Sequence, residues 1–299
     1  MAMRYNLQAM LYSHEAPLLE PPLSQVANTP RPATTMLRTS DGSIAYDVQG
    51  SGPLVICVPG MGDLRSVYRF LTPEIVARGF RVATVDLRGH GDSDATFSRV
   101  GDAATGQDLL ALIQHLGGPA VLVGNSIGAG AAVWAAAERP DLISGLVLIG
   151  PFVRDVPAGM LGRLLFRVGL ARPWARQAWL SYIKRLYPSQ PPADLKTHIA
   201  MISASLKRPG HLEAFRRTAR ISHAEAEVRL SEVSTPTLVI MGDRDPDFPA
   251  PAAEGRFVAE RLRGDLLIVP GAGHYPQAEF PGIVAPAILR LLKQRAPRA

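Results

Sequence analysis

Six short apolar runs, separated mostly by helical patterns, constrain this sequence more than any other feature. They are Leu54–Val58, Arg81–Val85, Ala120–Gly124, Ser144–Ile149, Thr237–Met241 and Leu266–Val269. Runs that stay apolar without alternating suit strands buried on both faces, as in parallel sheets. Helical patterns cover Arg65–Arg78, Asp102–Leu116, Ile127–Glu138, Ala252–Arg263 and Ile283–Lys293. The alternation predicts an α/β fold, with a sheet in the middle and helices on both faces. Asp41-Gly42, flanked by Met36–Thr39 and Ile44–Val48, adds a hairpin in front of the first run.

The rhythm stops at Pro151 and resumes at Thr237. Residues 152–229 read as a helical cap inserted between core segments 36–151 and 230–299. Residues 1–35 read as an N-terminal extension, because Pro17, Pro21, Pro22, Pro30 and Pro32 deny it regular helix. The cap holds 14 Lys and Arg against 5 Asp and Glu, a net +9, so the rest of this +6 chain carries −3. Amphipathic helices with a solvated basic face account for that charge; contact with anionic ligands or a membrane surface is the sharper alternative. The cap also carries Phe166, Trp174, Trp179, Tyr182, Tyr187 and Phe215. No motif for nucleic acid accompanies the basic balance, and no apolar run reaches the ~18 residues of a membrane span. The first twenty residues show no secretory apolar region. Cys57 is the sole cysteine, which excludes an internal disulfide and a cysteine-based zinc site and fits a reducing, cytoplasmic setting.

The run Val121-Leu-Val-Gly124-Asn-Ser126-Ile-Gly128-Ala-Gly130 carries the chemistry. A strand entering Gly-x-Ser-x-Gly and leaving as a helix is the setting of a nucleophile elbow, where the serine sits on a sharp, strained turn. The backbone N–H of Ile127 and the helix start then face a developing oxyanion. A serine needs a base, and His274, in Gly271-Ala-Gly-His274, follows the last predicted strand. The base needs an acid, and Asp243, Asp245 and Asp247 follow the strand before it. Both loops leave the same edge of the sheet as the elbow. His90 reads as a structural loop residue, His115, His198, His211 and His223 as surface or lid residues, and Glu279 as a tie for the histidine loop. No ligand spacing supports a metal. A decoy is also present. Leu54–Val58, Gly60-Met-Gly62, a helix and a strand ending in Asp86 imitate a dinucleotide-binding unit, but Arg65 stands where the third glycine belongs.

Residues 36–295 resemble the α/β-hydrolase superfamily. The elbow, Asp86-Leu-Arg-Gly-His90-Gly-Asp-Ser93, Gly242-Asp-Arg-Asp245 and Gly271-Ala-Gly-His274 look like its motifs in their usual order. The resemblance implies a mostly parallel eight-stranded sheet flanked by helices, with an inserted helical cap. It implies Ser126, Asp245 and His274 as catalytic residues and the N–H of Met61, in Pro59-Gly-Met61-Gly62, as the second oxyanion donor beside Ile127. No cofactor is expected. Pro59 and Asn125 stand where the family often has histidine, which blurs the subfamily but removes no backbone donor. The implied activity is hydrolysis of a small, largely apolar ester, lactone or thioester through an acyl-enzyme. Cofactor-free haloperoxidase or perhydrolase activity, C–C bond hydrolysis and a non-turnover ligand receptor are the alternatives on the same fold.

Overall fold

The computed structural model describes residues 32–156, 169–171 and 173–295. Residues 1–31 of the extension read over 1–35, and Phe166 of the cap, lie outside the described residues.

Eight strands form one sheet: β1 Thr35–Thr39, β2 Gly42–Gln49, β3 Leu54–Val58, β4 Arg81–Val85, β5 Ala120–Asn125, β6 Ile143–Ile149, β7 Thr237–Gly242 and β8 Asp265–Val269. Their order is β1-β2-β4-β3-β5-β6-β7-β8. β2 runs antiparallel to both neighbours, and β3 to β8 are mutually parallel.

The continuous apolar runs have a direct cause. Successive side chains of a strand point to opposite faces. Ile56 and Val58 of β3 enter one core cluster, whereas Val55 and Cys57 enter the other. Leu122 and Val123 of β5, and Leu148 and Val147 of β6, divide the same way. The first cluster is closed by helices α2 Asp102–Leu116, α3 Ile127–Glu138 and α8 Pro251–Leu262. The second is closed by α1 Leu71–Val76 and α10 Pro281–Arg295. A short helix, α9 Pro276–Glu279, precedes α10.

Between β6 and β7 lies the segment called the lid below. Its described helices are α4 Ala175–Ile183, α5 Leu195–Lys207, α6 His211–Thr218 and α7 Ala224–Glu227. Trp179, Ile183, Ile202, Leu206 and Phe215 of the lid join the second core cluster. Four of its arginines are answered by acids. Arg154, Arg208 and Arg229 reach Glu254, Asp92 and Glu138, and Arg216 pairs with Glu213 inside α6. Among the described residues, no helix is long and apolar enough to cross a membrane.

One reading changes. The helix expected over Arg65–Arg78 is a 3-10 turn, Arg65–Tyr68, followed by α1 from Leu71. Pro73 has no N–H and its ring would strike the carbonyl four residues earlier, so it fits only the first turn of a helix. Arg65 is also drawn aside. Its backbone N–H and guanidinium both bind the fully buried Asp86, and Asp47 and Asp92 complete the cluster. Asp86 is thereby committed to Arg65.

Candidate active site

The ends of β3, β5, β7 and β8 bring the expected residues to one edge of the sheet. Ser126 follows β5 with φ 57° and ψ −123°, one of two non-glycine residues with positive φ among the described residues. Such a conformation is strained for a side-chain-bearing residue and persists only when its surroundings enforce it. Here the Ser126 N–H donates to Ile149 O (2.9 Å), and Ser126 O accepts from Ala129 N–H and Phe152 N–H. The turn is tight enough to require its glycines. A Cβ on Gly124 would sit 2.3 Å from Gly128 O, and one on Gly128 would sit 2.6 Å from Val58 O.

The loop after β3 runs beside this turn. A Cβ on Gly60 would come 2.9 Å from the Ser126 Cβ, so the backbone flanking Met61 lies against the serine. Met61 itself is half-buried between the two core clusters. Ile127 opens α3 and is buried.

His274 is buried in the loop after β8. Its backbone N–H donates to Leu186 O of the lid (3.0 Å). Its Nδ1–H donates to Asp245 Oδ2 at 2.7 Å, which leaves Nε2 as the acceptor in the neutral ring. Asp247 Oδ2 stands 3.6 Å from the same Nδ1, and the Tyr182 hydroxyl of α4 donates to Asp247 Oδ1. Phe152 links the two halves of the site. Its N–H bonds to Ser126 O and its ring meets His274 edge-on at 5.9 Å. Asn125 links them again, donating Nδ2–H to Ile149 O (3.0 Å) and to His274 O (3.1 Å).

The electrostatics follow from that packing. Burial lowers the pKa of the His274 ring, but the Asp245 and Asp247 carboxylates outweigh it and raise the value from 6.5 to about 9. Burial raises Asp247 above the usual carboxylate range. A histidine whose pKa is higher folded than unfolded adds stability that is complete below pH 6.5 and is lost as pH rises through 9. A shift of this size corresponds to on the order of 3 kcal/mol.

The remaining residues fall into place. Asp243 shapes its turn, accepting from the Gly271 N–H (2.7 Å). Glu279 ties the histidine loop, accepting from the N–H groups of Ser189, Gln190 and Gly273. His90 is buried against Phe215 with Nδ1 on Arg88 O, and burial lowers its pKa to about 4. His115 is exposed. His198, His211 and His223 belong to the lid segment but are buried, and two of them pair with buried acids: His198 with Asp63 and His223 with Asp102. Sequence reasoning missed Asp63, Phe152 and the Tyr182–Asp247 contact. Only Asp63 left a mark, as a carboxylate between the loop after β3 and the apolar Leu64 and Val67. Asp245, Asp247 and His274 are the one cluster among the described residues with the proximity a metal would need. Its histidine nitrogen is already committed to Asp245.

An eight-stranded sheet of this order, with a serine on a strained strand-to-helix turn and a histidine–aspartate pair on neighbouring strand ends, defines an α/β-hydrolase fold. Comparison with known proteins agrees. The model of the alpha/beta hydrolase family matches residues 55–287, and the chain belongs to that family. It is 30% identical to 2-(acetamidomethylene)succinate hydrolase of Mesorhizobium japonicum, over 85% of this chain and 94% of the relative. It is 30% identical to pimeloyl-[acyl-carrier protein] methyl ester esterase of Neisseria meningitidis serogroup B, over 74% of this chain and 86% of the relative. Among solved structures, an esterase from Exiguobacterium antarcticum matches with a TM-score of 0.77 at 19% identity, covering 87% of this chain and all (100%) of that one, a likeness of fold. A thermophilic esterase from Thermogutta terrifontis matches with a TM-score of 0.70 at 26% identity, covering 89% and 100%.

Proposed function

We propose that this chain is a serine ester hydrolase with Ser126 as nucleophile, His274 as base and Asp245 as the acid that orients it. The observation that carries the reading is Ser126 at φ 57° between β5 and α3, joined through Phe152 to a buried His274–Asp245 pair. Ser126 Oγ attacks the ester carbonyl while His274 Nε2 takes its proton. The backbone N–H groups of Met61 and Ile127 hold the oxyanion. The tetrahedral adduct collapses, the C–O bond breaks, and His274 returns the proton to the leaving alcohol. Water, deprotonated by His274, then cleaves the acyl-enzyme to acid and free serine.

One of the relatives at 30% identity is named for a methyl ester esterase, which supports a carboxylic ester as substrate. The aromatic faces near the site, Phe152 on Phe248 at 4.7 Å and both within 6.5 Å of His274, suit an apolar acyl or aryl group. A fluorophosphonate probe is expected to label one site per chain, and p-nitrophenyl esters are expected to turn over repeatedly, with a preferred chain length. Absence of both labelling and turnover across acetate to decanoate would leave the receptor reading instead.

The His274 environment sets a pH dependence. A base must be neutral, and this ring is protonated below about 9. In the free enzyme, kcat/KM is therefore expected to climb roughly tenfold per pH unit below that value and level above it. Rates from pH 6 to 10, corrected for spontaneous hydrolysis, check this; a plateau already reached by about pH 7 contradicts it.

A further inference from the structure

The loop after β3 is tied to the lid at two successive residues. Trp179 of α4 donates Nε1–H to Gly62 O at 2.9 Å. Gly62 has φ 68°, and a Cβ there would come 2.4 Å from that same indole nitrogen, so the ring is seated directly on the loop backbone. The next residue, Asp63, is 1% exposed. Its Oδ1 accepts from the Leu64 N–H (2.7 Å) and from Nε2–H of His198 on α5 (2.6 Å). The other His198 nitrogen lies 3.4 Å from Ser66 Oγ. The phenol of Tyr275, next to His274 in sequence, also lies against Asp63. Burial first, and then the Asp63 charge and hydrogen bond, hold that phenol protonated well above the ordinary tyrosine value.

Burying a carboxylate is costly unless its bonds are made, and here they come from the next residue of the turn and from the lid. What they hold is a turn. The Asp63 N–H closes onto Gly60 O (3.3 Å), placing Met61 second and the positive-φ Gly62 third in a four-residue turn. The direction of the Met61 N–H therefore depends on where the two far residues of the turn are fixed. Both are fixed by the lid.

We propose that Asp63 is a positioning residue for the oxyanion donor at Met61, locked by His198 from the lid and assisted by Trp179 on the adjoining carbonyl. Seating of the lid and aiming of the donor are then one event. This rests on the hydrolase reading above, since a donor needs an oxyanion to serve.

The test compares Asp63→Asn, His198→Gln and Trp179→Phe with the wild type and with Ser126→Ala. The readouts are kcat and KM on p-nitrophenyl butyrate, inhibition by a trifluoromethyl ketone that forms a tetrahedral adduct, the fraction labelled by fluorophosphonate, and Tm. In Asp63→Asn, kcat is expected to fall roughly ten- to hundredfold, less than the loss of a donor outright, with KM held within about twofold. Ketone affinity should weaken by the same factor as kcat/KM, per labelled site. Trp179→Phe keeps an aromatic ring at the position but loses the N–H together with the pyrrole half of the indole; it should move kcat and ketone affinity the same way, by less, and lower Tm through the lost packing. If Asp63→Asn does not fold, Trp179→Phe decides. Variants with lowered Tm but wild-type kcat and ketone affinity would overturn the proposal, because a purely structural pair behaves that way. Full activity in Ser126→Ala would overturn the hydrolase reading itself, and that result is separable because it involves none of the lid variants.

Discussion

Ser126→Ala is expected to lower kcat by about 10⁴- to 10⁶-fold, with KM little changed. The lower bound alone is about 5 kcal/mol of transition-state stabilisation. Removal of Oγ abolishes covalent catalysis and leaves only the oxyanion donors and binding to assist water. The backbone should barely respond. Alanine at φ 57° carries much the same strain as serine, and the forces that impose it, the hydrogen bonds to Ile149, Ala129 and Phe152, involve only main-chain atoms. An unchanged circular dichroism spectrum and a Tm within a few degrees would show that the loss is chemical. Retention of more than about one per cent of the rate would mean that another group attacks.

Asp245→Asn is expected to cost about 10⁴-fold in kcat, and Asp247→Asn tenfold at most. The two carboxylates face the same histidine nitrogen but differ in contact. Asp245 Oδ2 accepts its proton at 2.7 Å, whereas Asp247 Oδ2 stands at 3.6 Å and the other Asp247 oxygen is taken by Tyr182. An amide at 245 can turn its oxygen or its NH₂ to His274, and the second choice favours the wrong tautomer. It also removes the nearer of the two charges that hold the ring's pKa near 9. Asp247→Asn removes the second, so its pH–rate inflection should move downward while the plateau rate survives. Measuring both profiles separates the roles. A plateau lost in Asp247→Asn and kept in Asp245→Asn would exchange them.

Features that rest on neighbours in sequence were legible. The six runs became strands within a residue or two of their expected ends, because burial on both faces leaves a local signature. Ser126 was legible because Gly124 and Gly128 are forced by a turn five residues long. His274 was legible only through its place after a strand, and Asp245 through resemblance, with Asp243 and Asp247 close by. The rest depends on distance. His198 meets Asp63 across 135 positions and Tyr182 meets Asp247 across 65, and neither partner marks the other in the sequence. The buried lid histidines looked like surface residues for the same reason. Arg65–Arg78 looked like one helix because the pull of Asp86 on Arg65, 21 residues away, is invisible to periodicity.

The lid leaves the core after β6 and re-enters it at β7, and those two strands lie side by side, with Leu146 opposite Thr237 and Ile149 opposite Ile240. Because they run parallel, the segment leaves at one end of the sheet and returns at the other, and a foreign insert that spans this crossover could be spliced in without opening the sheet. The contacts from Trp179, Tyr182, Leu186 and His198 attach a condition to that freedom. On the proposed reading, a chimera given another protein's roof loses the supports under the loops that carry Met61 and His274, so recombination here would arrive with a slower enzyme. Altering other lid side chains, while keeping those four, is the route by which this scaffold can change its roof and stay fast.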